Sequence, residues 1–266
     1  MRWVALIALG LALALEGCAG LRVSSTADYP TRDTVRLDQL VIHSNFDIPV
    51  QHRLLQEVNA LRGDVSGKLG LPMSDEPIHV YLFENSDQYS EFIHKNYPSF
   101  PNRRAFFIES DTRLTVFAQW GENVAVDLRH EVTHGYLHSV LQNLPLWLDE
   151  GLAEYFEMPR GQHGYHRLNI DALLTAEQQG RWHPDVRRLE ALKSVAEMRR
   201  VEYAEAWAWV HLLLETEPAR RELLRTYLAG LHSDGAAEPL SNRLRAASLD
   251  NPQLLLDYVH WLADHG

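Results

Sequence analysis

The sequence predicts an α+β fold, in which a small mixed sheet with an HExxH helix is followed by an all-helical C-terminal lobe. Runs of branched and aromatic residues, typical of strands, precede residue 120, whereas amphipathic helical patterns dominate from residue 123 onward. Of the 266 residues, 45% are hydrophobic, which suits a folded globular chain. An order of mixed elements followed by helices alone favours two lobes rather than an alternating α/β sheet.

The N-terminus has the pattern of an export signal, predicted over residues 1–17. A short cationic start precedes an apolar run from residue 3 to residue 15, which has the length of a signal-peptide core and is too short to span a bilayer. The run ends at Cys18, in a stretch that resembles the bacterial lipobox. That resemblance implies lipid modification of Cys18, and Ala19 after it implies an outer-membrane anchor facing the periplasm. The alternative is an ordinary cleaved signal with an incidental cysteine.

Charge and cysteine content limit the possible partners and sites. Lys and Arg total 25 against 36 Asp and Glu, so the net charge is -11 and nucleic acid is not expected as a partner. A single cysteine permits neither an internal disulfide nor a thiolate metal site. Any metal must therefore be bound by histidine and carboxylate side chains.

The predicted domain order is a lipid-anchored tether over residues 18–36, an α+β lobe with the metal site over 37–160, and a helical lobe over 161–266. In the first lobe the patterns predict strand 40–43, helix 50–69, strand 78–83, a helix capped by Ser86, and strands 104–109 and 113–117. A polar, Gly-containing stretch with His163, His166 and His183 predicts a solvated loop rather than a second metal site.

Residues 130–134 form an HExxH motif inside a helical pattern. Two residues four apart on a helix differ by only ~40° in direction and ~6 Å in height, so His130 and His134 can bind one ion. Glu131 cannot reach that ion comfortably, but it can accept a proton from a metal-bound water. The motif therefore predicts two metal ligands and a general base.

A carboxylate from the next helix would complete the ligand set, because catalytic zinc usually takes three protein ligands and leaves a position for water. Glu150 is the predicted third ligand, and Gly151 beside it is expected to let this helix approach the HExxH helix closely. Glu154, one turn later, would orient a ligand histidine through its free ring N–H. The alternative makes Glu154 the ligand and leaves Glu150 as a carboxylate near the helix start.

These motifs resemble the gluzincin metallopeptidases, and most closely the small bacterial peptidase-MA-like proteins. The resemblance rests on HExxH followed by WLxEGxAEY over residues 147–155, and it extends over about residues 40–215. It implies a zincin-like lobe, a Zn²⁺ cofactor and peptide-bond hydrolysis. It also implies that Tyr203 stabilises the oxyanion of the transition state and that strand 113–117 is an edge that pairs with extended substrate. The alternatives are a Tyr203 that only packs in the core or at its rim and an edge strand that binds no ligand.

The predicted function is a zinc-dependent peptidase of the cell envelope. Glu131 would activate a zinc-bound water that hydrolyses a peptide or protein substrate, while the N-terminal lipid would hold the enzyme on the membrane. Two alternatives stay open. One is a non-catalytic, metal-stabilised binding protein of the envelope, and the other is an amidase acting on peptidoglycan stem peptides.

Overall fold

A computed structural model describes residues 29–100 and 103–266 and confirms the α+β prediction. The predicted signal peptide and Cys18 lie outside the described residues. None of the described helices is long and apolar enough to cross a membrane. The strands are β1 (Asp33–Leu37), β2 (Leu40–Ser44), β3 (Ile78–Phe83), β4 (Ala105–Ser110) and β5 (Arg113–Gln119). The helices are α1 (Arg53–Leu69), α2 (Ser86–Asn96), α3 (Val124–His138), α4 (Leu146–Phe156), α5 (Arg167–Gln178), α6 (Val186–Ala191), α7 (Arg200–Glu215), α8 (Pro218–Asp234), α9 (Leu240–Ala246) and α10 (Pro252–His265).

The five described strands form one mixed sheet in the order β1-β2-β3-β5-β4. The outer pairs β1–β2 and β4–β5 are antiparallel, whereas β2–β3 and β3–β5 are parallel. The expectation that strand 113–117 is an edge is therefore wrong. Its residues lie in β5, which pairs with β3 on one side, and the hairpin at Ser110 and Arg113 places β4 outside it as the edge.

Two local predictions in the first lobe need correction. The last residues of the predicted tether form β1, because Val35 and Leu37 pack on the core while the strand pairs with β2. Helix α2 is capped by Asn85 rather than Ser86, since the Asn85 side chain accepts a hydrogen bond from the backbone N–H of Gln88.

The two faces of the sheet are covered by different helices. One face packs into the main hydrophobic core, to which α1 and α3 contribute residues such as Leu55 and Val132. The other face carries an aromatic cluster, in which Phe92 of α2 packs on Phe83 and Phe117 of the sheet. Successive side chains of each strand point to opposite faces, so each strand contributes apolar residues to both of these clusters. The sheet is therefore covered on both sides, and α3 packs on one of them.

Helix α4 connects the two lobes. It packs on α3 of the first lobe and on α7 of the second, and the main core continues through residues of both lobes. The predicted boundary near residue 160 falls in the segment between α4 and α5. The prediction of a solvated loop around His163, His166 and His183 is wrong in part. This stretch contains α5, and His166 is buried.

Gly151 allows α4 to lie directly against α7. A Cβ atom at residue 151 would be 2.6 Å from the carbonyl oxygen of Ala206 and 3.0 Å from a methyl of Val210. The sequence predicted that this glycine lets α4 approach the HExxH helix α3, and that prediction is wrong, because the helix that contacts Gly151 is α7. The carbonyl oxygen belongs to the backbone of α7, so a side chain at residue 151 could avoid this clash only if one helix shifted against the other.

We predict that Gly151→Ala lowers the free energy of unfolding by about 1–3 kcal/mol, as overpacking of a core does. Gly63→Ala is the matched control, because residue 63 is also in a helix and a Cβ there meets nothing within 4 Å. The free energy of unfolding of the control should rise by up to about 1 kcal/mol, because alanine has a higher helix propensity than glycine. Urea unfolding of both variants measures the difference, and an unchanged or more stable Gly151→Ala would contradict the packing argument.

Candidate metal centre

Helices α3 and α4 bring His130, His134 and Glu150 together. One side-chain oxygen of Glu150, Oε2, lies 3.5 Å from Nε2 of His130 and 3.7 Å from Nε2 of His134. One ligand atom from each residue falls within 4.8 Å of the other two, so the three could hold one metal ion. The two histidines are one turn apart on α3, as the HExxH spacing predicted.

The start of α3 is fixed against the edge of the sheet. Arg104, just before β4, donates two hydrogen bonds of 2.9 and 2.8 Å to the two carboxylate oxygens of Asp127 in the first turn of α3. Such bidentate pairs fix orientation as well as distance. The orientation of the helix that carries both imidazoles is therefore tied to the sheet.

The donor set fits a cation. Glu150 is 5% exposed, and its Oε2 has no hydrogen-bond partner among the described residues. A buried carboxylate oxygen without a donor is costly. A positive ion between this oxygen and the two imidazoles would satisfy all three groups at once.

Two other ligand groups overlap with this one, but their atoms already bond to each other. In the group of His134, His138 and Asp149, the carboxylate accepts from both rings, at 2.8 and 2.9 Å. In the group of His130, Glu154 and Glu157, the ring of His130 lies 2.7 Å from Glu157. Oε2 of Glu150 is a fully buried oxygen without a hydrogen-bond donor among the described residues, which favours the group of His130, His134 and Glu150.

The Nδ1 atoms of both histidines are held by carboxylates, one on α4 and one at the residue that follows its last turn. His130 donates to Glu157 at 2.7 Å, and His134 donates to Asp149 at 2.8 Å. A ring whose Nδ1 carries the proton presents a free lone pair on Nε2, the atom that faces Glu150. These two acids therefore fix the tautomer and the orientation of both rings.

Glu154 does not have the contact expected for it. The sequence predicted that it would hold a ligand histidine, but Glu157 and Asp149 occupy both Nδ1 positions. Glu154 instead accepts a 2.8 Å hydrogen bond from Asn169 of α5. The helical period could have indicated Glu157, because seven residues after Glu150 is two turns and returns to nearly the same face.

A line of alternating acids and histidines leads from His134 to the edge strand. Asp149 accepts from His134 and from Nε2 of His138, while Nδ1 of His138 lies 2.8 Å from Glu109 of β4. Burial lowers the pKa of His138, but Asp149 and Glu109 outweigh it and raise that pKa to about 10. His138 is therefore a cation at neutral pH and compensates the charge of Asp149.

Glu157 is stabilised from three directions. It accepts from His130 and from Nε2 of His166 at 2.9 Å, and its backbone carbonyl accepts from the buried Arg129. Burial would raise the pKa of Glu157, but the two histidines lower it overall. The carboxylate therefore stays ionised and remains available as an acceptor for His130.

Glu131 and Tyr203 both lie close enough to the ligand group to be affected by its charges. Burial raises the pKa of Glu131, His130 and His134 lower it, Glu150 raises it, and the net direction is upward. Burial likewise raises the pKa of Tyr203, and Glu150 adds to that rise. Glu131 follows His130 on α3, and Tyr203 lies on α7, the helix that packs on α4.

Arg103 is a site residue that the sequence analysis did not identify. Its guanidinium donates a 3.3 Å hydrogen bond to the phenol oxygen of Tyr203. Burial lowers the pKa of Arg103, but Tyr203, Glu150 and Glu131 outweigh burial and raise that pKa. No motif indicates this residue, because it lies 100 positions from Tyr203 in the sequence and only the fold joins them.

Comparisons with known proteins give partial similarities. A protein family described as "Protein of unknown function (DUF1570)" matches residues 124–231, from the start of α3 into α8. The chain is similar to the crystal structure of an M1 zinc metallopeptidase from Deinococcus radiodurans, with 18% identity, a TM-score of 0.42, and coverage of 87% of this chain and 51% of that chain. A mutant of the same enzyme gives 19% identity, a TM-score of 0.36, and coverage of 87% and 52%. The chain thus spans about half the length of these structures. A search of curated proteins found no match.

We predict that Asp149→Asn and Glu157→Gln each weaken binding of a divalent cation by roughly 10- to 100-fold, because each loosens the orientation of one imidazole. Glu154→Gln is the matched control on the same helix, and it should change the affinity by less than about threefold, since Glu154 bonds to Asn169 instead. Competition with a chromogenic chelator measures all three variants. A larger loss of cation affinity in Glu154→Gln than in the other two variants would contradict these assignments.

Proposed function

We propose that this chain is a zinc-dependent peptidase. One observation carries the proposal, namely that the unpartnered Oε2 of Glu150 faces Nε2 of both His130 and His134. Glu131 lies beside this group and is not needed to complete it. A site that only binds metal has no use for that additional acid, whereas hydrolysis needs a base beside the metal.

The proposed metal ligands are His130, His134 and Glu150. Two imidazole nitrogens and one carboxylate form the donor set that zinc takes in catalytic sites with three protein ligands. When bound, the ion lowers the pKa of a coordinated water and polarises a carbonyl group.

The proposed base is Glu131, which accepts a proton from the attacking water. Burial raises its pKa, and a base works best when its pKa approaches the working pH. The proton can then pass from Glu131 to the leaving amine, so that one residue serves both steps.

Tyr203 is proposed to donate a hydrogen bond to the carbonyl oxygen as negative charge develops on it. Arg103 donates to the oxygen of Tyr203, so the phenol proton is not used in that contact and is free to point to the substrate. The positive guanidinium also makes the phenol a stronger donor.

Substrate is proposed to pair with β4, because it is the sheet edge beside the candidate ligands. The ring of Phe107 on β4 lies 5.9 Å from the ring of His134. An extended peptide can add to such an edge through backbone hydrogen bonds. The proposed location is the cell envelope, and it rests on the signal-like residues 1–17 and on Cys18.

Substitution of Glu131 and of Glu150 tests the proposal. We predict that Glu131→Gln keeps about one zinc per chain but loses nearly all peptide hydrolysis, because binding survives without the base. Glu150→Gln should lose the zinc itself. Elemental analysis and cleavage of an unstructured protein substrate measure the two effects. Zinc bound by the unsubstituted chain without cleavage of any peptide would favour the metal-stabilised binding protein instead.

A second test concerns the hydroxyl of Tyr203. Tyr203→Phe deletes one donor and keeps the ring, so we predict unchanged zinc content and a kcat lower by ~10² to 10³, as for loss of an oxyanion donor. Tyr227→Phe is the control, since Tyr227 is buried in α8 and 1% exposed. Equal activity of the two variants would assign Tyr203 a packing role only.

A further inference from the structure

A large cleft in the helical lobe is rich in arginine and does not include the candidate metal ligands. It is a cleft of about 1150 Å³ between α6, the start of α7 and the segment that joins α9 to α10. That volume exceeds the ~300–1,000 Å³ usual for small-molecule pockets. We refer to it as the arginine cleft. Six arginines line it: Arg181, Arg187, Arg188, Arg199, Arg200 and Arg245.

The arginine cleft is positive on a chain that is strongly negative. Its six arginines face three lining carboxylates, an excess of three positive charges, whereas the whole chain has a net charge of -11. Cations are therefore concentrated here against the overall composition. A cleft of one sign attracts ligands of the opposite sign and raises their local concentration.

Some of these arginines build the cleft and others are available to a ligand. Arg188 donates to Glu202 at 2.7 Å and also to the buried Glu205, so it is used in packing α6 on α7. Arg187 and Arg199 are exposed and make no ion pair within residues 29–100 and 103–266. Two unpaired guanidiniums in one concave surface offer bidentate contacts to carboxylates.

The arginine cleft adjoins the candidate metal centre. Val201 and Glu202 line it, and the next residue of α7 is Tyr203. Arg200 lies 3.9 Å from Glu154, which belongs to the same helix as Glu150. A ligand that extends from the cleft along the start of α7 would therefore reach the metal centre.

We propose that the arginine cleft binds an acidic stretch of the peptide substrate, on one side of the bond that is cut. This inference rests on the proposed function for the location of that bond. The lining carboxylates favour a peptide with spaced acidic residues over a polyphosphate, because Asp185 and Asp250 would repel a dense line of negative charge. The size of the cleft suits several residues of extended chain rather than a single small anion.

Direct binding tests the cleft without relying on turnover. The probe is a fluorescein-labelled peptide of alternating Glu and Ala, compared with its Gln-for-Glu analogue, on a Glu131→Gln chain that would not cut it. We expect the acidic probe to bind about tenfold more tightly than the analogue, with an affinity that falls as salt screens the charges. Fluorescence anisotropy at low and high salt measures this difference.

Two matched double variants locate the site. Arg187→Gln with Arg199→Gln should remove most of the preference for the acidic probe, and neither substitution touches a buried ion pair. Arg32→Gln with Arg53→Gln is the control, because those side chains are 62% and 90% exposed and lie outside the cleft. Equal binding of the two peptides, or an unchanged preference in the cleft variant, would overturn the proposal.

Two further competition experiments test whether the cleft binds other anionic ligands instead of an acidic peptide. Inorganic tripolyphosphate and vesicles containing phosphatidylglycerol are each tested as competitors of the acidic probe. Cleft-dependent binding of either one with no binding of the acidic peptide would overturn a peptide site. A chain that binds the acidic peptide and cuts no peptide would overturn the proposed function alone, whereas equal binding and cleavage of acidic and neutral peptides would overturn the cleft alone.

Discussion

The contact of α4 with α7 at Gly151 is the constraint on which the site depends. Adjacent residues on a helix point about 100° apart, so Glu150 and Gly151 occupy different sides of α4. One of them faces the histidines of α3, and the other meets the backbone of Ala206. Because Tyr203 lies one turn before Ala206, the same contact sets how far that tyrosine stands from Glu150. Packing in the helical lobe therefore controls the geometry of the candidate metal centre.

The candidate metal centre concentrates negative charge that the protein itself only partly compensates. Asp149 is paired with His134 and His138, and Glu157 is paired with His130 and His166, so both acids have cationic or N–H partners. Oε2 of Glu150 has no hydrogen-bond partner among the described residues, and Nε2 of His130 and of His134 lie 3.5 and 3.7 Å from it. Burial of an unpaired carboxylate is expensive, which is why a divalent cation at this position would stabilise both the fold and the site. Cation binding and folding are then coupled through Glu150.

The sequence predicted what local periodicity determines and missed what tertiary contact determines. Spacing alone placed His130 and His134 on one helical face, and runs of β-branched and aromatic residues predicted β2 and β3. The edge position of β4 could not be read in this way, because it depends on which neighbour β5 pairs with. Glu157 carried a helical signal two turns after Glu150, yet its pairing with His130 needs the crossing of α3 and α4. Arg103 carried no local signal at all.

Under these proposals the candidate metal centre and the arginine cleft require each other. An acidic peptide drawn to Arg187 and Arg199 would be repelled by the carboxylates around Glu150 unless a cation lay among them. A divalent ion at the candidate centre reduces that repulsion at the reacting bond and leaves the arginine cleft as the stronger attraction for the acidic side chains. The peptide would then lie in one direction, with its acidic residues in the cleft and a neutral segment along β4. Contact of Arg200 with Glu154 marks the boundary between the two regions of opposite charge.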